Sequence, residues 1–169
     1  TVDLLLPSGA ENLNYVLYTD ESPYKMQREW LDRLPFDIYS VNVHTGAKRL
    51  IGRSYRTAPK WSVNGKWAVM YDPIAQVWNK FDGATGKVVN ISDAIGYPMF
   101  MESYDKPAPA PAYGIAGWTA DGNNVFLYDA YDWWKIDLTG ERQPECLTKG
   151  YGRKHGKSIR KMTSNIDKD

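Results

Sequence analysis

One motif occurs twice in this chain, and its repetition limits the possible folds more than any other feature. The first copy begins at Trp61 and the second at Trp118. Each has a Trp and a hydroxyl residue, then an Asn-Gly or Asp-Gly pair, then an apolar run that ends in Tyr-Asp. The Trp, Gly, Tyr and Asp keep the same offsets in both copies. Self-similarity of this kind predicts a fold built from repeated units.

Turn signals locate the strands within each unit. Asn-Gly and Asp-Gly pairs readily take positive φ values, so Asn64-Gly65 and Asp121-Gly122 are predicted to join strands that pair directly. A Thr-Gly step recurs at three further places, each expected to be a hairpin turn: Thr45-Gly46, Thr85-Gly86 and Thr139-Gly140. The apolar runs after the turns lack strict polar alternation, which predicts strands that are covered on both faces.

Each unit contains four expected strands. In the first unit they cover residues 2–6, 15–19, 37–43 and 49–51. In the second unit they cover residues 58–62, 67–72, 77–81 and 87–91, and in the third unit residues 113–118, 124–129, 133–137 and 145–147. Four short antiparallel strands per repeat are typical of a β-propeller blade. We therefore expect an all-β fold, a partial β-propeller of about three four-stranded antiparallel blades with one short helical insertion. Propellers close with about four to eight blades, so we expect either part of a larger propeller or self-association through the open edges.

Three segments interrupt the blades. The expected blades are residues 1–52, 57–92 and 113–148, with insertions at 21–35 and 93–112 and a basic tail at 149–169. The second insertion contains an apolar run at 97–101, which either covers a blade edge or lines a cleft, and alternating prolines that exclude it from a sheet interior. The tail is expected to be a solvated loop or the start of a fourth blade, with phosphate binding as the alternative.

The first insertion has the spacing of a short amphipathic helix, because Met26, Trp30 and Leu34 recur at every fourth position. One interpretation is a lid that packs this stripe on a blade edge. The other is a substrate channel, in which the charged residues of the insertion contact the substrate. The candidate substrate-binding residues are Arg28, Glu29 and Arg33.

Composition and motif searches point away from most chemistries. The formal net charge is +1, which predicts no strong attraction to nucleic acid or acidic membranes, and no apolar stretch approaches the ~20 residues that span a bilayer. We expect no metal site and no cofactor, because no cluster has the ligand spacing of zinc or calcium sites. Cys146 is expected to be an inert buried thiol. Asp72 and Asp129 recur at one repeat position, which favours a turn-capping role over a glycosidase pair of Asp129 and Asp132.

Three stretches resemble a known family. Residues 113–121, 128–137 and 147–154 are similar to the propeller of bacterial serine peptidases of the prolyl oligopeptidase and dipeptidyl-peptidase type (S9). The resemblance extends over residues 14–160. It implies a propeller that caps an α/β-hydrolase domain carrying a Ser-Asp-His triad, filters substrates and helps to hold the peptide. It also implies a periplasmic or secreted protein.

Two departures from the family pattern matter. These residues contain no hydrolase sequence and no Gly-x-Ser-x-Gly elbow, so no catalytic residue is assigned. The dipeptidyl-peptidase branch holds the substrate amino terminus with two adjacent glutamates, and this sequence has no such pair, so Glu29 is the nearest candidate. We therefore expect a non-catalytic segment that gates access and docks the hydrolase domain. The alternatives are a stand-alone propeller module that binds protein or glycan and, third, a glycosidase.

Overall fold

The structure is a computed structural model that describes residues 2–7 and 13–161. In these residues twelve strands form three four-stranded antiparallel sheets, each built from consecutive strands. The first sheet contains β1 (Val2–Leu5), β2 (Tyr15–Asp20), β3 (Phe36–Asn42) and β4 (Lys48–Tyr55). The second sheet contains β5 (Lys60–Trp61), β6 (Trp67–Asp72), β7 (Val77–Asp82) and β8 (Val88–Asn90). The third sheet contains β9 (Ile115–Trp118), β10 (Asn124–Tyr128), β11 (Trp133–Asp137) and β12 (Glu145–Cys146). The predicted all-β fold with three four-stranded blades is confirmed.

The second sheet lies between the other two, and β6 shows this directly. Ala68 and Met70 pack in an apolar cluster with side chains of the first sheet. Val69 and Tyr71 pack in a second cluster with side chains of the third sheet. All four side chains are buried. Successive residues of a strand point to opposite faces, so this strand supplies two cores, as its unbroken apolar run predicted.

The two copies of the repeated motif occupy equivalent places. Trp61 ends β5 and packs against the core between the first and second sheets, while Trp118 ends β9 and packs against the core between the second and third. The turns that follow them contact each other, because Asn64 donates an Nδ2–H bond to the carbonyl of Asp121 at 2.8 Å. The repeat in sequence is therefore a repeat in space.

Antiparallel pairing separates the connections into two groups. One end of the sheets, which we call the turn end, holds the hairpin turns that contain Gly46, Gly65, Gly86, Gly122 and Gly140. Contacts between sheets support this, since Asn14, between β1 and β2, bonds to Ala84, between β7 and β8, at 3.0 Å. The connections β2–β3 and β8–β9 and the segment after β12 lie at the opposite end, which we call the insertion end.

The first insertion contains the predicted short helix but not its predicted packing. Its helix is a single 3₁₀ segment, Ser22–Gln27, and it ends before Trp30. The side chains of Met26 and Trp30 are 86% and 77% exposed, so the predicted apolar stripe is not formed and only Leu34 is buried. The short segment is held instead by a polar contact, in which the Tyr24 hydroxyl donates to the Asp37 carboxylate at 2.6 Å. A single 3₁₀ segment is too short to build a helical face.

The second insertion crosses the end of the core. It begins with a short 3₁₀ helix, Asp93–Ile95, and Ile95 and Met99 are buried against the second and third sheets. Phe100 and Ala112 form an isolated β-bridge. Met99 therefore covers the core, while Tyr97 lines a cavity, so both interpretations of the apolar run hold for different side chains.

The tail also differs from the prediction. It contains a helix, α1 (Tyr151–His155), and returns to the third sheet. The amide of Ile159 donates to the carbonyl of Tyr131 at 2.8 Å, and the Trp133 indole donates to the carbonyl of Ile159 at 2.9 Å. Most of residues 149–161 are exposed, as predicted for a solvated segment, but they form no further strand, and polar contacts fix them on the end of the sheet. The end of the predicted tail, 162–169, lies outside the described residues.

Candidate functional site

A cavity of about 440 Å³ opens at the insertion end of the third sheet. Three segments meet there, namely the second insertion, the end of the third sheet and the tail. We call it the Arg153 cavity, and its lining residues are Tyr97, Asp132, Trp134, Cys146, Gly150, Arg153 and Lys154. Its volume lies within the range of roughly 300–1,000 Å³ that small-molecule sites occupy.

Asp129 caps the turn that leads into this cavity. It is fully buried at the end of β10, and its Oδ1 accepts the amide hydrogens of Tyr131 at 2.7 Å and Asp132 at 2.6 Å. Asp72 does the same at the equivalent turn of the second sheet, where its Oδ1 accepts the amides of Ile74 and Ala75, both at 2.9 Å. The turn-capping interpretation of these two aspartates is confirmed.

The second oxygen of Asp129 connects the sheet to the tail. Its Oδ2 accepts the indole N–H of Trp134 at 3.0 Å and an Nη2–H of Arg153 at 3.2 Å. The Asp129 carboxylate therefore accepts four hydrogen bonds, which is about as many as a carboxylate can take. No acceptor capacity remains for a substrate.

Asp132 holds the tail by its carboxylate. It is 2% exposed and accepts the amides of Gly152 at 2.9 Å and Arg153 at 3.0 Å, together with the Thr148 hydroxyl. Burial alone would raise the pKa of Asp132, but these hydrogen bonds, that from Thr148 first, outweigh it and lower the pKa below its ordinary value. Position 152 requires glycine, because an added Cβ would lie 2.6 Å from the carbonyl oxygen of Tyr131.

Arg153 is fixed between two aromatic rings. Its guanidinium carbon lies 3.9 Å from the centroid of the Tyr97 ring and 5.1 Å from that of Tyr131. Stacking and the ion pair with Asp129 together orient the guanidinium plane. Its Nε is buried and has no hydrogen-bond partner among the described residues. The unpartnered Nε is enclosed, so the donors that Arg153 can offer at the cavity are those of its Nη atoms, of which only Nη2 is bonded to Asp129.

These contacts limit the chemistry of the site. Both aspartates are occupied as acceptors, and the low pKa of Asp132 opposes its use as a proton donor, so the glycosidase interpretation gains no support. Cys146 is only partly buried, and its sulfur accepts the amide hydrogen of Gly150 at 3.3 Å.

Among residues 2–7 and 13–161 no three His, Cys, Asp or Glu side chains are grouped so that they could hold a metal ion. No helix in the same residues is long and apolar enough to cross a membrane.

The candidate substrate-binding residues lie elsewhere, on the first insertion. Arg28, Glu29 and Arg33 are all exposed. Arg33 lines a cleft of about 230 Å³ together with residues of β1 and β2, but Arg28 and Glu29 do not line that cleft. None of the three lines the Arg153 cavity. Their role in substrate binding stays a prediction.

Sequence reasoning missed the residues of the Arg153 cavity. The basic stretch after residue 149 suggested solvation, and nothing local shows that its backbone amides reach Asp132 twenty residues earlier. A usable signal was the alternation of Gly150 and Gly152 within that stretch, since closely spaced glycines often mark a close backbone approach.

Comparison with known proteins shows similarity at the level of structure alone. No protein-family model matches the chain, and no curated protein sequence is significantly similar to it. Among solved structures, the chain is similar to the β-propeller domain of the Trilobed protease from Pyrococcus furiosus, with 16% sequence identity and a TM-score of 0.40. The match covers 86% of this chain and 42% of that one, so this chain spans less than half of that propeller chain. The fold assignment depends on the three stacked sheets themselves.

Proposed function

We propose that this chain is a non-catalytic propeller segment of an S9-type serine peptidase, which gates access of peptides and docks the α/β-hydrolase domain. The observation that supports this most is the asymmetry of the two ends. Both long insertions and the tail leave the sheets at the insertion end, whereas at the turn end every connection except that between β1 and β2 is a short turn. Loops gathered at one end of a rigid scaffold are where binding surfaces commonly occur.

The exposed side chains of the first insertion are suited to docking. Met26 and Trp30 are largely exposed, and solvent-exposed apolar groups that cluster on one loop are typical of contact surfaces. In this proposal they contact the hydrolase domain. Arg28, Glu29 and Arg33 lie on the same insertion and contact the peptide, with Glu29 as the acceptor for a substrate amino group.

The docking proposal is tested with the hydrolase domain encoded by the parent gene, expressed separately and added to this chain. We expect Trp30→Ser to weaken the association at least about tenfold, because a large exposed aromatic side chain is a typical hot spot of an interface. Val63→Ser is the matched control, since Val63 is 54% exposed but adjoins a turn at the opposite end. Equal weakening by both changes, or a reading frame without a Gly-x-Ser-x-Gly elbow, would reject the proposal.

The gating proposal predicts a change in KM. In the parent enzyme, Arg28→Ala and Glu29→Gln should raise KM for proline-containing peptide reporters and leave kcat nearly unchanged, because groups that bind ground state and transition state alike affect KM. The chain alone should show no turnover of these reporters. Turnover that persists through stringent purification contradicts the non-catalytic assignment.

A second candidate is a stand-alone binding module, and the Arg153 cavity is the observation that favours it. A cavity of this size serves a small ligand whether or not a hydrolase domain is attached. The length of the encoding reading frame separates the two candidates, because a long continuation with a hydrolase sequence supports the peptidase.

Two further parts of the proposal follow from the open sheets and from the resemblance. The edge strand β1 carries Val2 and Leu4, which are 60% and 58% exposed. We propose that such exposed edges support self-association of the chain. Sedimentation velocity would detect this self-association as a mass that increases with protein concentration. The periplasmic or secreted location is tested by fractionating the source cells.

A further inference from the structure

The unused hydrogen-bonding capacity of the Arg153 cavity consists of donors. Asp129, adjacent to the cavity, accepts four hydrogen bonds, and Asp132, in its wall, accepts three. The Cys146 sulfur already accepts the amide of Gly150. In contrast, the side chain of Arg153 donates within the described residues only to Asp129, and the ammonium group of Lys154 forms no hydrogen bond with another described residue. A ligand that matches this wall must bring acceptors.

The two cations in the wall, Arg153 and Lys154, are matched in number by the carboxylates of Asp129 and Asp132, but they differ in how they are paired. Arg153 is paired with Asp129 at 3.2 Å. The carboxylate of Asp132 is compensated by two amides and a hydroxyl. Lys154 has no acidic partner among the described residues, so an anionic ligand can pair with its ammonium group.

Arg153 is oriented to bind a planar anion. Its guanidinium is stacked 3.9 Å from the Tyr97 ring and tied at one amine to Asp129. An arginine held in this way loses little side-chain entropy on binding, and its planar fork matches the two oxygens of a carboxylate. The geometry therefore favours a carboxylate that can lie in the guanidinium plane.

The remaining walls are apolar and too extensive for an ion alone. The ring of Tyr97 and the indole of Trp134 lie 6.1 Å apart between centroids and line the cavity together. A volume of about 440 Å³ leaves room for an organic body as well as its charged group. Aromatic walls stabilise such a body by burial of its apolar surface.

We propose that the Arg153 cavity binds an organic carboxylate, with the carboxylate on Arg153 and Lys154 and an apolar body against Tyr97 and Trp134. Free small acids and the carboxyl terminus of a peptide share this chemistry. The proposal does not depend on the peptidase assignment, because it concerns this chain without any hydrolase domain.

Calorimetric titration of the purified chain tests the proposal with three probes. N-acetyl-phenylalanine carries a carboxylate and a ring, its primary amide lacks the charge, and inorganic phosphate lacks the ring. We expect saturable binding of the acid, at least about tenfold weaker binding of the amide, and weaker binding of phosphate, because charge-assisted bonds to arginine are stronger than neutral ones. N-acetyl-Ala-Ala-Phe, which has a free carboxyl terminus, then distinguishes a peptide terminus from a free small acid as the ligand. Tighter binding of this peptide than of N-acetyl-phenylalanine identifies a peptide terminus, and equal binding identifies a free small acid.

Two variants and a matched control locate the site. Lys154→Gln should weaken binding of N-acetyl-phenylalanine about fivefold and Arg153→Lys about tenfold, because lysine keeps the charge but loses the planar fork. Lys157→Gln removes an equally exposed charge that does not line the cavity and should change binding by less than about twofold. Thermal melting checks the fold, and if Arg153→Lys unfolds, Lys154→Gln and the comparison of acid with amide decide alone.

Several results would overturn the proposal. They are absence of saturable binding up to millimolar acid, equal affinity for acid and amide, tighter binding of phosphate than of the acid, and equal losses in Lys154→Gln and Lys157→Gln. The last two would assign any binding to the general positive charge of the tail.

Discussion

Removing the carboxylate of Asp132 should release the tail from the third sheet. The carboxylate accepts the amides of Gly152 and Arg153 and the hydroxyl of Thr148. A buried donor that loses its acceptor costs about 1–3 kcal/mol. The Gly152 contact is buried and the other two are partly buried, so Asp132→Ala would cost several kcal/mol, at most about 9 kcal/mol, if the tail stayed in place. Detachment of the tail returns these donors to water. We therefore expect detachment of the tail in this variant, with the sheets still folded.

Trypsin cleavage at neutral pH measures this release, because the tail contains several basic residues. Cleavage after Arg153 should be fast in Asp132→Ala, intermediate in Asp132→Asn, which keeps one acceptor oxygen, and slow in the wild type. Asp121→Ala is the control, since Asp121 lies at the turn end and should not affect the tail. Wild-type cleavage rates in Asp132→Ala, with folding verified by tryptophan fluorescence, would refute the role assigned to this carboxylate.

Acid should act in the same direction. The pKa of Asp132 is lowered in the folded state from its ordinary value of 3.8, so the unfolded state binds the proton more tightly. The stabilisation is complete above the ordinary pKa and is lost as the pH falls through the folded value. The indole N–H resonance of Trp133, which bonds to Ile159, should therefore shift toward its solvent-exposed position in strong acid. Asp132→Asn should lack this transition.

Three further predictions follow from the sheets. Met70→Ala should lower the free energy of unfolding, measured by urea titration, by about 2–5 kcal/mol, because Met70 is 1% exposed between two sheets. Met26→Ala is the control: this side chain is 86% exposed, so the change should be less than about 0.5 kcal/mol. Gly122→Ala should destabilise more than Gly46→Ala, since both have positive φ but only at Gly122 would a Cβ lie 2.7 Å from Asn64; equal losses would contradict the contact between the turns. Burial, followed by the charge of Asp72, raises the pKa of Tyr71 to about 12. The free energy of unfolding should therefore fall as the pH rises from 10 toward 12. Tyr71→Phe, which has no hydroxyl to ionise, should lose less stability over this pH interval.

The sequence allowed the blades to be predicted because their signals are local. The Asn64-Gly65 and Asp121-Gly122 turns lie where positive φ is required, and the third strand of the third unit was placed at its observed bounds, Trp133–Asp137. The capping role of Asp72 followed from its repeat position. Each of these features depends on residues only a few positions apart.

The packing of the first insertion and of the tail was mispredicted because it depends on distant contacts. Met26 and Trp30 have helical spacing, but both are largely exposed and the 3₁₀ helix ends before Trp30, so the spacing produced no buried apolar stripe. The tail is fixed by Asp132, which lies twenty residues before Gly152. A basic composition carries no information about such a partner, and the Arg153 cavity was missed for the same reason.

The central claim is that three blades stack in chain order with the second between the others, and methyl NOESY spectra test it most directly. Met70 and Val69 are neighbours in β6 that belong to different cores. We expect the Met70 methyl to show cross-peaks to Leu17 or Ile38 of the first sheet, and the Val69 methyls to show cross-peaks to Val125 or Leu127 of the third. Cross-peaks from both residues to the same sheet would contradict the stacked arrangement.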